Sequence, residues 1–359
     1  MSQNTEPPRG APEPAAEQVE NAIELKEVAG LSQGQIVRRR FLRHRGAMAA
    51  LVVLGLVVLL AATSIGWGPI PGWWIWNYTS PLPVVNGGEP TLSLPVWLGG
   101  TGFALGEHPF GQDEIGRDVF ARVMKGTQTS LTVMVVVGLI ATVVGILVGS
   151  AAGFFRGWTD NLLMRFTDLV ITIPTIVIGS VLGKMVGGSS AVVLAVALGL
   201  ISWTGLARLV RGDFLVLRER EFVDAARVAG AGNARIAFRH ILPNAMGVII
   251  VNTTLLMSAA ILLETALSYL GFGITAPNVS LGQLISEYQS AFATRPWLFW
   301  WPGFFIVAIA LCINFIGDGL RDAFDPRQKR IPSQRAMDRA SRRERHASTE
   351  PIDAGAGAS

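Results

Sequence analysis

The chain has 359 residues, of which 50% are hydrophobic and 16% charged, with one cysteine and a net charge of +4. Soluble domains carry about 25% charge, and disordered chains lack this apolar content. A disulfide scaffold is excluded as well, because Cys312 has no second cysteine to pair with. The charges are segregated: Asp, Glu, Lys and Arg are absent from 46–88, 126–155, 169–183, 185–207, 241–263 and 296–317.

Residues 1–30 are rich in Pro, Glu and Ala and read as a disordered tail. The stretch 31–66 opens with LSQGQIVRRRFLRHR (31–45), a basic amphipathic helix suited to a membrane surface. It continues into a first span over 47–65. A span needs about 20 mostly apolar residues, and the segments 130–152, 161–183, 190–210, 245–268 and 297–317 also qualify. Backbone polar groups in hydrocarbon must be paired internally, so these spans are predicted as helices. The alternating period of a membrane barrel is missing. The third span carries Arg165 and Asp168, spaced so that they can pair on one face, and Pro174 interrupts its middle.

The loop 67–126 starts irregularly with Pro, Gly and Trp. In HPFGQDEIGRDVFARVMKG (108–126), Asp113 and Glu114 precede Ile115, Val119, Val123 and Met124 at helical spacing, which predicts a short helix across the outer face. His108 reads as structural, since no second metal ligand has suitable spacing. Trp67, Trp73, Trp74 and Trp76 after span one, and Trp297, Trp300 and Trp301 before span six, fit interfacial anchors. Residues 127–322 hold the other five spans, and 323–359 form a basic tail.

Lys and Arg set the orientation. With the N-terminus inside, and Arg9 and Lys26 far out on the N-terminal tail left aside, 23 of them fall on the cytoplasmic side and 5 on the other (Arg117, Arg122, Lys125, Lys184 and Arg295). Both termini are therefore expected to be cytoplasmic. The basic residues then read as topology determinants with attraction to anionic lipid, and not as a nucleic-acid surface.

No catalytic or cofactor motif is visible. Gly183-Lys184 is followed by Met185, and Ile178 stands where a phosphate loop needs its first glycine. The chain is read as having no enzymatic activity of its own.

The long loop within 211–243 carries the strongest signal. RGDFLVLREREFVDAARVAGAGNARIAFRHILPNAMG (211–247) reads as two helices broken at Gly230 and Gly232, with Gly230 acting as a helix C-terminal glycine and Pro243 in the first turn of span five. Two readings are open: a helix lying on the membrane surface, or a docking knob for a cytoplasmic partner.

These residues resemble the "EAA" loop of permease subunits in binding-protein-dependent ABC importers. Ala225, Ala226, Gly230, Leu242 and Pro243 match the pattern, and Asp224 stands for its glutamate. RHILPN (239–244) resembles the dipeptide/oligopeptide subfamily. So do HPFGQDEIGRDVFARV, GFFRGWTDNLLMRFTDLVITIP, ETALSYLGFG and GDGLRDAFDPR, which together cover roughly 31–330. The resemblance implies an all-α, six-span type I importer permease in a bacterial inner membrane, the second permease of a pair. It implies a homologous permease partner, two ATPase subunits or one fused ATPase holding ATP and Mg, and an extracytoplasmic binding protein. It also assigns coupling to the ATPase to Glu221, Asp224, Ala225, Ala226, Gly230 and Pro243.

Ionisable residues within spans are functional-site candidates by default. Glu264, Asn252 and Asn314 are pathway or gate candidates. Glu264 could equally bind the following LGFG turn, and Asn252, Asn314 and Asp318 could bond between helices. Arg165 and Asp168 form a structural ion-pair candidate. The alternatives to an ABC permease are a secondary transporter, an intramembrane enzyme and a structural scaffold. The first needs inverted repeats with broken helices, and no convincing internal repeat is seen.

Overall fold

A computed structural model describes residues 33–93, 97, 100, 102–186 and 190–324. The tail expected at 1–30, and the tail expected at 323–359 apart from its first two residues, lie outside them. Residues Phe41–Phe324 form one unit. The basic stretch is helical, as its pattern predicts (α1, Gln33–Arg43). The first span is α2, Arg45–Ser64. Its cap is His44, whose Nδ1 accepts from the Ala47 N–H at 3.0 Å.

The second span, α3 (Val119–Phe155), has 37 residues and is about 55 Å long. It therefore overreaches the roughly 30 Å hydrocarbon layer. This corrects the short helix expected across the outer face. Asp118 caps α3, its Oδ1 accepting from the Ala121 N–H at 2.7 Å, so Val119 and Val123 belong to the span helix itself. Asp113 instead closes a turn through the N–H groups of Ile115 and Arg117.

The third and fourth spans are broken. α4 (Gly157–Thr172) and α5 (Thr175–Val186) meet at 80° across Ile173 and Pro174. The proline removes a donor and clashes with the preceding turn, so the single helix expected over 161–183 bends there. α6 (Ala191–Gly199) and α7 (Thr204–Leu217) meet at 40°. In that break the Trp203 indole donates to the Leu200 carbonyl at 2.9 Å.

After α8 (Glu221–Val228), one turn at Asn233–Arg235 and a π-helical stretch at Ile236–Ile241 run without interruption into α9 (Leu242–Tyr269). Pro243 is thus in the first α turn, as expected, but the helix does not start there. α10 (Leu281–Tyr288) and α11 (Trp297–Phe324) complete the order. Among the described residues, four helices are long and apolar enough to cross a membrane, and each bent pair taken as one span brings the number to six.

α3 is the axis of the packing. Its Gly145, Gly149 and Gly153, four residues apart, face Leu206, Val210 and Phe214 of α7. A Cβ on Gly149 would lie 2.8 Å from the Val210 Cβ, so only glycine lets the two backbones approach this closely. At the other end of α3, Phe120, Val123, Met124 and Leu131 pack with Leu281, Leu284 and residues of α11.

Candidate functional site

The 211–243 loop is a compact knob. Val223 is fully buried among Phe154, Phe214, Ile236 and Ile241, so it pins α8 to the ends of α3 and α7 and to the π-helical stretch. At 100° per residue, Glu221, Ala225 and Val228 lie on the opposite side and Phe222 on the flank beside them. All four are exposed, Val228 at 90%. Burying a large aliphatic side chain is favourable by about 1.5–3 kcal/mol, so an exposed valine and phenylalanine on a fixed helix form a surface suited to a partner.

The helix closes as the sequence predicts. Gly230 has φ +80°; its N–H donates to the Arg227 carbonyl at 2.9 Å, and the Ala231 N–H donates to the Ala226 carbonyl at 3.0 Å. This double closure is the Schellman motif. Ala226 supplies the carbonyl and packs against the core beneath. Asp224 meets Arg227 at 3.1 Å on the surface, a pair worth little by itself. Pro243 is exposed beyond the π-helical stretch.

Several arginines counted above as topology determinants are bound within the chain. Arg211 forks onto Asp160, with Nε–Oδ1 at 2.5 Å and Nη2–Oδ2 at 2.7 Å. Arg156 meets Glu219 at 2.6 Å. Arg218 donates to the Phe154 carbonyl, and its guanidinium carbon lies 5.7 Å from the centre of the Phe154 ring. The base of the knob is thereby tied to the junction of α3 and α4.

The pair expected between Arg165 and Asp168 is present, and Asp168 has a second, closer partner. Arg165 is 85% exposed and 3.8 Å from Asp168, whereas Arg208 of α7 reaches Asp168 at 2.5 Å. The sequence spacing gave the partner one turn away, and the packing of α7 on α4 supplies a second one from another helix.

Glu264 is fully buried: it accepts from Ser130 of α3 at 2.9 Å and from Ser268 at 2.7 Å. The Ser268 hydroxyl in turn accepts the Ile274 N–H at 2.9 Å. Glu264 therefore holds the turn after α9, the structural role that was open for it. Asn252 donates to the Val248 carbonyl of its own helix at 2.8 Å and does not bridge helices. Asn314 is half-buried on α11. A bond between helices comes instead from Thr142 and Thr253, 2.9 Å apart, which the sequence reading did not single out.

At the opposite end lies a charged cluster that the sequence reading missed. Asp113 and Arg122 are buried; Arg122 reaches Glu287 of α10 at 2.6 Å, and Arg117 binds both Asp113 (2.6 Å) and Glu287. Burial raises the Glu287 carboxyl, but Arg122, with Gln283 and Arg117, outweighs it and the net shift is downward. His108 Nδ1 sits 2.7 Å from Asp118, the structural role expected for it. Burial holds the Asp118 carboxyl above its ordinary value despite that contact. The only available signal was composition: acids and arginines packed into 113–122, with Glu287 170 residues from Arg117.

A bundle of straight and broken apolar helices defines a multi-pass membrane protein. The chain belongs to the family of binding-protein-dependent transport system inner membrane components, whose model matches residues 141–330. The N-terminal transmembrane domain of oligopeptide transport permease C matches 32–81. The chain is 34% identical to the oligopeptide transport system permease protein OppC of Haemophilus influenzae, over 87% of this chain and 94% of that protein. It is 39% identical to a putative peptide permease protein of Brucella ovis (82% and 92%) and 36% identical to OppC of Mycobacterium tuberculosis (84% and 97%).

Proposed function

We propose that this chain is one of two permease subunits of an ATP-driven importer for peptides or similar small solutes, and that α8 is the element that receives work from an ATPase subunit. The observation that carries the coupling is the bare face of Glu221, Phe222, Ala225 and Val228 on a helix fixed from behind by Val223. Displacing such a helix moves what it is tied to, and the pairs at Asp160 and Glu219 tie it to α3 and α4. The peptide assignment is supported by the names of the relatives. ATP and Mg belong to the ATPase subunits, and hydrolysis takes place there. The 23-to-5 division of Lys and Arg supports a bacterial inner membrane location with both termini and the α8 knob in the cytoplasm. The 67–118 loop then faces an extracytoplasmic binding protein.

The test is co-purification. Val228→Asp places a charge on the bare face and disturbs no internal contact. The variant is expected to insert normally and to lose both the bound ATPase and ATP-dependent uptake. Retention of both would remove α8 from the coupling role.

A further inference from the structure

At the end of α3 that meets the 67–118 loop, a cavity of about 230 Å³ opens among Trp67, Tyr78, Lys125, Thr129, Thr132 and Asn278. Lys125 lies five residues ahead of the apolar stretch that begins at 130, or about 7.5 Å along the axis, so it stands at the rim of the membrane. Its ammonium is 5.5 Å from the centre of the Tyr78 ring, and among the described residues no carboxylate pairs with it. Of the other buried or half-buried cations of this end, Arg117 and Arg122 are neutralised by Asp113 and Glu287; Arg295, ahead of α11, likewise has no carboxylate partner among the described residues but does not line this cavity.

The walls are fixed in advance. Gln128 donates to the Ala61 and Gly66 carbonyls at 2.7 and 2.8 Å, which holds the end of α2 against α3. The Glu264–Ser130 and Glu264–Ser268 contacts hold the segment that brings Asn278 to the cavity. The Thr129 and Thr132 hydroxyls spend their hydrogens on the Lys125 and Gln128 carbonyls, at 3.0 and 2.8 Å, and so offer only lone pairs to the cavity. The cavity thus presents one ammonium, hydroxyl acceptors and two aromatic rings. That set suits a carboxylate with an N–H donor beside it, which is the last residue of a peptide. At this volume, below the roughly 300 Å³ of a pocket for a drug-sized molecule, it takes the end of a chain and not the whole.

We propose that this cavity is a subsite for the C-terminal carboxylate of the transported peptide, with Lys125 as its counter-charge. The proposal rests on the peptide-importer reading above.

The test uses the complete transporter, with its partner permease, ATPase subunits and binding protein, in liposomes. Uptake is compared for a peptide acid and its C-terminal amide, chosen so that the binding protein holds both within a few-fold. Lys125→Gln should lower kcat/KM for the acid about tenfold and leave the amide within about twofold, because a charge-assisted contact is lost only for the acid. Lys125→Arg should retain most of the acid uptake. Equal losses for acid and amide, or none for either, would overturn the subsite. An equal loss that appears only when anionic lipid is added would assign Lys125 to a lipid headgroup instead. Failure of the unaltered complex to take up either peptide would overturn the peptide reading itself.

Discussion

Arg211 of α7 and Asp160 of α4 meet through two parallel contacts, at 2.5 and 2.7 Å, across the base of the α8 knob. Two-point guanidinium–carboxylate geometry fixes orientation as well as distance, and lysine cannot reproduce it. Arg211→Lys is therefore expected to insert and bind the ATPase while transporting several-fold more slowly per ATP hydrolysed. Asp160→Asn should show the same uncoupling. The measurement is the ratio of uptake to ATP hydrolysis in liposomes; an unchanged ratio in both variants would show that the pair is only a surface contact.

Gly230 offers a cleaner separation. No atom outside its own neighbourhood lies within 4 Å of where a Cβ would stand, so side-chain bulk meets nothing inside this chain. The constraint is its φ of +80°, a left-handed conformation that costs about 1–2 kcal/mol for most residues and less for asparagine. Gly230→Val should unlatch the end of α8 and abolish transport without affecting insertion. Gly230→Asn should keep the turn and much of the activity. If both variants fail alike, bulk at the partner surface and not the turn sets the requirement.

The helical nature of the chain was legible, because charge-free blocks of 20 residues leave the backbone no other partner. So was the break at Gly230, where glycine chemistry is local. What escaped was everything set by contacts distant in sequence. The i,i+3 spacing announced the contact of Asp168 with Arg165, but not the closer one with Arg208 of α7. Asp113 and Glu114 followed by apolar residues at helical spacing suggested a separate helix. The side chain of Asp118 captured the Ala121 N–H and started the span helix there instead. The turn-binding reading of Glu264 was legible from the LGFG sequence that follows it, but its serine partner on α3, 134 residues away, was not.

The Glu287 contacts carry a pH dependence with a definite sign. The Glu287 carboxyl is shifted below the ordinary value of 4.5, so its pairing stabilises the fold fully above that pH and is lost as pH falls through the lowered value. Amide exchange in α10 should accelerate on acidification below 4.5, and Glu287→Gln should remove most of that acceleration. Acid sensitivity of α10 identical in the two proteins would place the titrating group elsewhere.

The close approach of α3 and α7 predicts the steepest stability loss. Gly149 faces Val210 with no room for a side chain: a Cβ there would also lie 3.1 Å from the backbone nitrogen of Arg211. Overpacking of this kind costs typically about 1–3 kcal/mol. Here it would also push away Arg211, which holds Asp160, and Phe214, which helps bury Val223 beneath α8. Gly149→Leu should therefore lower the thermal midpoint in detergent and release the ATPase together, although residue 149 lies in the apolar stretch of α3 and outside the knob. Val143→Phe, which also adds four carbons but on an exposed face of the same helix, should do neither. A Gly149→Leu protein that melts normally and still holds its ATPase would mean that the two helices can separate without consequence for the knob.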